Sequence, residues 1–189
     1  MADHKPDTLE DHGILYLTGA ITPESSEALA RAILLANLKG RHQRLQLIVN
    51  SPGGDVGAGF ALLDVMEWSA VPICTVGLGQ VASMGLLVLM AGAKGHRVVS
   101  PRTSLLSHRM WWLGAGTHAE HMAARREEDR SHERIVDHYL RHTALESRDD
   151  VLKHLLRDTD VWLDAEEAVR FGVVDRVEGQ PRLSPGVTP

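Results

Sequence analysis

Two short segments carry residue types that suit chemistry better than they suit a core: Ser51-Pro52-Gly53-Gly54-Asp55 and Gly79-Gln80-Val81-Ala82-Ser83-Met84-Gly85. A Pro-Gly-Gly turn lets the backbone take positive φ and leaves N–H groups unblocked by side chains, which suits an anion or a developing oxyanion at a helix start. Taken alone, an ordinary tight turn is the commoner use of such residues. Ser83 lies where a strand hands over to an apolar helix, with small neighbours Ala82 and Gly85, so its hydroxyl sits beside the free N–H groups of that helix. It is a candidate nucleophile. Val81 takes the place of the first glycine of the Gly-x-Ser-x-Gly elbow, and a serine at a helix start is more often a plain N-cap. His118 with His121 and His138 with His142 have helical spacing, but no Cys and no His-Glu-x-x-His pattern accompanies them, so no metal site is expected.

The elements that must position these residues alternate. Ile14–Leu17 reads as a strand, Thr22-Pro23 opens a helix that Gly40 ends, and Leu45–Val49 reads as a second strand. A helix carrying Phe60, Leu63, Met66 and Trp68 follows, then a short buried strand at Val71–Val76, an apolar helix from about Ala82 and a strand at Arg97–Ser100. This β-α-β-α-β order predicts an α/β fold with a largely parallel sheet and sites at the carboxyl ends of its strands. Residues 117–142 alternate in charge with few long apolar side chains and predict a long, solvated helix. Asp164 and Glu167 form a capping box for a short helix, and Val173–Val177 reads as a last edge strand. Residues 1–12 read as a flexible leader, 13–180 as a single domain and 181–189 as a flexible tail.

The 189 residues, 43% hydrophobic and 24% charged, are enough for one compact domain with its own core. Twenty Lys and Arg against twenty-five Asp and Glu leave a net charge of −5, which lacks the positive field that nucleic acid or anionic lipid requires. Cys74 is the single cysteine, so no internal disulfide forms. The apolar run Val81–Ala93 is far short of the ~20 residues that span a bilayer, and the polar start has no secretory h-region, so a cytoplasmic protein is expected.

The string Ile48-Val49-Asn50-Ser51-Pro52-Gly53-Gly54, then Gly79-Gln80-Val81-Ala82-Ser83-Met84-Gly85, then Ala91-Gly92-Ala93-Lys94-Gly95 closely resembles the proteolytic subunit of Clp-type ATP-dependent serine proteases. The likeness runs from about Ile14 to Val177 in the family's order. It implies a crotonase-like fold of repeated β-α-β units, with 117–142 as the projecting handle helix. It also implies a Ser-His-Asp peptidase: Ser83 as nucleophile, His108 as general base and Asp160 as third member, with Asp158 as the lower-ranked competitor. Gly54 and Met84 match the family's oxyanion-hole N–H donors. Val56 and Trp111 fall at substrate-binding positions, Trp111 beside the strand that pairs with peptide, although core packing or a subunit contact suits Trp111 equally well.

The chemistry fits these types. A serine hydroxyl needs a base to take its proton, imidazole titrates near neutrality, and a carboxylate on the other ring nitrogen holds the tautomer. No cofactor is implied. The expected partners are peptide or unfolded-protein substrates, further copies of the chain in a ring-like oligomer, and an AAA+ unfoldase; nucleic acid and membrane are not expected. Three features depart from the family pattern: residues 1–13 are shorter than its pore-loop segment, Met110 stands for a usual proline, and Thr159 stands for a usual arginine tied to ring stacking. They motivate a second reading, a weakly active or inactive scaffold or regulatory subunit. A Ser-Lys dyad through Lys94 and a crotonase-like acyl-CoA enzyme are further alternatives.

Overall fold

The computed structural model describes residues 7–110 and 117–179. Trp111 and the tail 181–189 lie outside them. Five strands run side by side and parallel in the order β1 (Ile14–Thr18), β2 (Leu45–Ser51), β3 (Ile73–Ala82), β4 (Arg97–Val99) and β7 (Arg176–Val177). Helices α1 (Pro23–Lys39), α2 (Val56–Trp68) and α3 (Met84–Met90) connect the first four, as expected of right-handed crossovers. Each boundary has a local cause. Thr22 caps α1 in a capping box with Ser25, Pro23 occupies its first turn, and Gly40 ends it at φ 58. Asp55 caps α2 by accepting the Ala58 N–H at 2.7 Å.

The sheet departs from the sequence reading at β3, which runs on through Gly79 and Gln80 to Ala82 instead of ending at Val76. Its first half pairs with β4, and its last three residues pair with β5 (Ser104–Ser107). One strand thus serves two neighbours and delivers Ser83 directly from its carboxyl end. The short apolar stretch before His108 is this strand β5. A strand without a clear sequence signal, β6 (Val161–Leu163), pairs antiparallel with β5. Leu9–His12, within the segment read as a leader, form a 3₁₀ turn capped by Thr8. Helix α5 (Arg148–His154) was not anticipated, Asp164 and Glu167 cap α6 (Ala165–Arg170) as expected, and only Arg176–Val177 of the last segment pair as a strand.

Helix α4 (His118–His142) buries one face along its second half, while Glu133, Arg134, Asp137 and Arg141 on that half stay exposed. Ser131, Ile135, Val136, His138 and Tyr139 are buried against the body. The apolar pair Ile135 and Val136 with Tyr139 one turn on is the anchoring stripe. His138 hydrogen-bonds the Leu87 carbonyl at 3.0 Å, and burial, helped by the neighbouring His142, pushes its imidazole down to about 3. That ring is a neutral packing group stacked on His142 at 4.3 Å. Among the described residues no three His, Cys, Asp or Glu side chains group as metal ligands, and no helix is long and apolar enough to cross a membrane.

Arg97, only 4% exposed, ties β4, β7 and the end of α4 together. Its guanidinium donates to both carboxylate oxygens of Asp175, at 2.6 and 3.1 Å, and to the His142 carbonyl at 2.5 Å. Burial raises the Asp175 carboxyl, but the Arg97 hydrogen bonds and charge outweigh it and hold the group below its ordinary value of 3.8. Asp175→Asn is expected to cost about 2 to 3 kcal/mol of unfolding free energy at pH 7, the low end for a buried pair because Asp175 keeps 17% of its side-chain surface exposed. A carboxyl more acidic folded than unfolded stabilises fully above its unfolded value and loses that contribution as the pH falls through its folded one. The gap between wild type and variant in urea unfolding should therefore close below about pH 4. A gap unchanged down to pH 2 would rule out this coupling.

Candidate active site

Ser83 is held by its backbone from both sides. Its N–H donates to the Leu106 carbonyl of β5 at 2.9 Å, while its own carbonyl accepts from Leu86 at 2.9 Å and Leu87 at 3.3 Å in α3. These bonds hold it at φ 55, ψ −127, the one positive φ of a non-glycine residue among the described residues. Such a conformation costs on the order of 1 to 3 kcal/mol and persists only where neighbours impose it. The Ser83 side chain makes no capping hydrogen bond, so the plain N-cap reading does not hold and the hydroxyl is left available.

The Pro-Gly-Gly turn closes on this residue. A Cβ on Gly53 would lie 2.6 Å from the Ser83 Cβ and 3.0 Å from the Met84 nitrogen, so only glycine permits the approach. A Cβ on Gly54 would lie 2.2 Å from the Ile21 carbonyl oxygen. That crowding follows from a bridge in which Ile21 N–H donates to the Gly53 carbonyl and Asp55 N–H donates to the Ile21 carbonyl, both at 2.8 Å. The N–H groups of Gly54 and Met84 have no hydrogen-bond partner among the described residues.

Ser83, His108, Gly54, Met84 and Val56 line one cavity of about 360 Å³. Sequence reasoning missed its apolar wall, made by Leu87 of α3, Met110, and Ile135 and Tyr139 of α4. The available signal was the Ile135–Tyr139 spacing inside an otherwise charged segment. Lys94 lines a separate cavity with Arg97, Arg141 and Asp175, so it is not placed for a Ser-Lys dyad with Ser83.

His108 follows β5, whose last residue is anchored: the buried Ser107 hydroxyl bonds the Tyr139 hydroxyl at 2.6 Å and donates to the Leu155 carbonyl at 2.7 Å. The Nδ1 of His108 lies 2.6 Å from the Arg109 carbonyl oxygen. A carbonyl only accepts, so Nδ1 carries a proton, and in the neutral ring this is the tautomer a base acting through Nε2 requires. Asp160 is exposed and makes no hydrogen bond to His108, and Ser83 makes none to His108. The carboxylate nearest in sequence, Asp158, pairs with Arg109 at 2.5 Å instead. In this conformation Ser83, His108, Gly54 and Met84 share one cavity, and Asp160 is not among the residues that line it.

A strained serine between a parallel strand and an apolar helix, in one cavity with two residues whose N–H groups have no partner among the described residues, defines a serine-hydrolase type of site on a crotonase-like α/β fold. The family described as Clp protease matches residues 3–181. The chain is 30% identical over 175 residues to the ATP-dependent Clp protease proteolytic subunit of Deinococcus radiodurans, covering 92% of this chain and 83% of that protein. It is 31% identical over 180 residues to the ATP-dependent Clp protease proteolytic subunit 2 of Cutibacterium acnes, covering 94% and 82%. The chain belongs to the Clp protease family, and it is a serine-type peptidase of that family.

Strain at Ser83 distinguishes two substitutions that both remove the hydroxyl. Glycine accepts φ 55, ψ −127 freely and alanine does not, so Ser83→Gly is expected to be more stable than Ser83→Ala by about 1 kcal/mol after allowing for the looser unfolded chain. Paired thermal or urea unfolding measures this. If Ser83→Gly proved the less stable of the two, the strain would not exist.

Proposed function

We propose that this chain is an endopeptidase that cleaves peptides or unfolded proteins through an acyl-enzyme, with Ser83 as nucleophile, His108 as general base and Asp160 as third member of the triad. The observation that carries the reading is the shared cavity of Ser83, His108 and the unpartnered N–H groups of Gly54 and Met84. The Nε2 of His108 takes the Ser83 proton as Oγ attacks the scissile carbonyl carbon. The resulting oxyanion accepts hydrogen bonds from Gly54 and Met84, a contribution worth ~100- to 1000-fold per donor. Collapse expels the amine with the proton held by His108, and water then hydrolyses the ester by the same route in reverse. The apolar wall of Leu87, Met110 and Ile135 would take an apolar side chain of the substrate, with Val56 at the mouth. Trp111, outside the described residues, is proposed to lie beside the bound peptide.

The triad requires His108 to turn its Nδ1 proton from the Arg109 carbonyl to Asp160. The β5–β6 ladder supports that change: Ser107 lies opposite Val161, so continuing the same antiparallel register by one step sets His108 opposite Asp160. A ring-like oligomer is supported by an apolar patch where α1 and α2 end together. Asn37 bonds Ser69 there at 2.8 Å, and Leu38 and Trp68 are 84% and 78% exposed beside it. The relatives are named ATP-dependent, and this sequence has no Gly-x-x-x-x-Gly-Lys-[Ser/Thr] loop, so an AAA+ unfoldase would supply that dependence as a separate partner. The cytoplasm is the compartment proposed. The unassembled carboxylate also favours a second reading, a weakly active regulatory subunit.

Incubation with a fluorophosphonate followed by intact-mass measurement separates the two. One adduct is expected on wild type and none on Ser83→Ala, with His108→Ala slowed at least ~100-fold. Absence of an adduct from folded wild type would put the regulatory reading first.

A further inference from the structure

The imidazole that must meet Asp160 is committed elsewhere, and one ion pair lies across the place where the two would join. The β5–β6 ladder ends at its last pair, Ser107 with Val161. Immediately past that point Arg109 Nη1 donates to Asp158 Oδ1 at 2.5 Å, a diagonal link between the residue after His108 and the residue two before Asp160. In the same arrangement His108 Nδ1 bonds the carbonyl of Arg109 itself. Nδ1 carries one proton, so a bond to that carbonyl and a bond to Asp160 exclude each other.

We propose that Arg109 and Asp158 are positioning residues whose ion pair holds His108 in the orientation turned away from Asp160. This rests on the triad proposed above. Holding the Arg109 side chain on Asp158 orients the Arg109 peptide group, and through its carbonyl the imidazole. Freed from Asp158, the 108–110 segment can extend the ladder by one residue and bring His108 opposite Asp160. The pair is modest by its exposure, 42% for Arg109 and 87% for Asp158, so it biases the orientation by no more than ~5-fold. A bias of that size yields to salt, to peptide bound along β5, or to a neighbouring copy of the chain that competes for either partner.

The test uses the full-length protein and two readouts. The first is the second-order rate of Ser83 labelling by a fluorophosphonate, at about 20 mM and about 500 mM salt, chosen to straddle Debye lengths of roughly 20 and 4 Å. The second is the proton NMR resonance of the His108 Nδ1–H, which moves downfield when its acceptor changes from a carbonyl to a carboxylate. Asp158→Asn should label ~2- to 5-fold faster than wild type at low salt. Peptide KM should stay unchanged and the Nδ1–H signal should move downfield. Salt should raise the wild-type rate towards that of Asp158→Asn and leave the variant unaffected. Arg109→Asp alone should behave like Asp158→Asn, while Arg109→Asp with Asp158→Arg should restore the slow, salt-sensitive wild-type rate. The swap separates a positioning role from simple loss of structure.

Equal labelling and an unmoved resonance in wild type and Asp158→Asn would overturn the proposal, as would a variant slower than wild type, which would make the pair a required brace. If no form labels but the resonance still moves in Asp158→Asn, the positioning role stands and the peptidase reading falls.

Discussion

The site depends on one close approach of two backbones. The Gly53–Gly54 turn lies so near the β3–α3 junction that no side chain fits between them, and the Ile21 bridge holds the turn there from the far side. Two features meet at this contact. Ser83 keeps a conformation that serines avoid, and the Gly54 and Met84 N–H groups have no partners among the described residues. Under the proposed function, unpartnered donors beside a strained serine are costly for stability and favourable for acyl transfer.

Helix α4 completes the cavity by a different route. None of the described side chains of its charged first half lines the cavity, whereas Ile135 and Tyr139 do, and His138 ties the helix to α3 through the Leu87 carbonyl. Two buried polar clusters keep that half in place. Tyr139 meets Ser107 at the end of β5, and the Arg97–Asp175 pair grips the His142 carbonyl at the helix terminus. The strand that leads into His108 and the helix that walls the cavity are thus joined by the Ser107–Tyr139 hydrogen bond.

Asp160, the residue proposed as the acidic member, is held differently from the others. Ser83, Gly54 and Met84 lie at the carboxyl ends of parallel strands and His108 follows an anchored strand, but Asp160 lies on a connection exposed to water just before a three-residue strand. Few buried contacts hold that connection, so its arrangement is decided by weak surface electrostatics.

Much of this was legible in the sequence, and the reason is that local rules sufficed. Thr22, Gly40, Asp164 and Glu167 mark helix ends by their own hydrogen bonds, the alternation of elements implies a parallel sheet, and the paired Gly53 and Gly54 mark a turn whose close approach no other residue allows. The extent of β3 was hidden because Gly77 and Gly79 read as turn residues, while their pairing is imposed by β4 on one stretch and β5 on the next. The burial of α4 was hidden because a sparse apolar stripe acquires meaning only when α3 lies beneath it. Residue identity named Ser83, His108 and Asp160 as a set, through their place in a familiar pattern. Whether His108 bonds Asp160 or the Arg109 carbonyl was decided by tertiary structure alone, because that choice turns on side chains 49 positions apart, Arg109 and Asp158, meeting where the ladder ends.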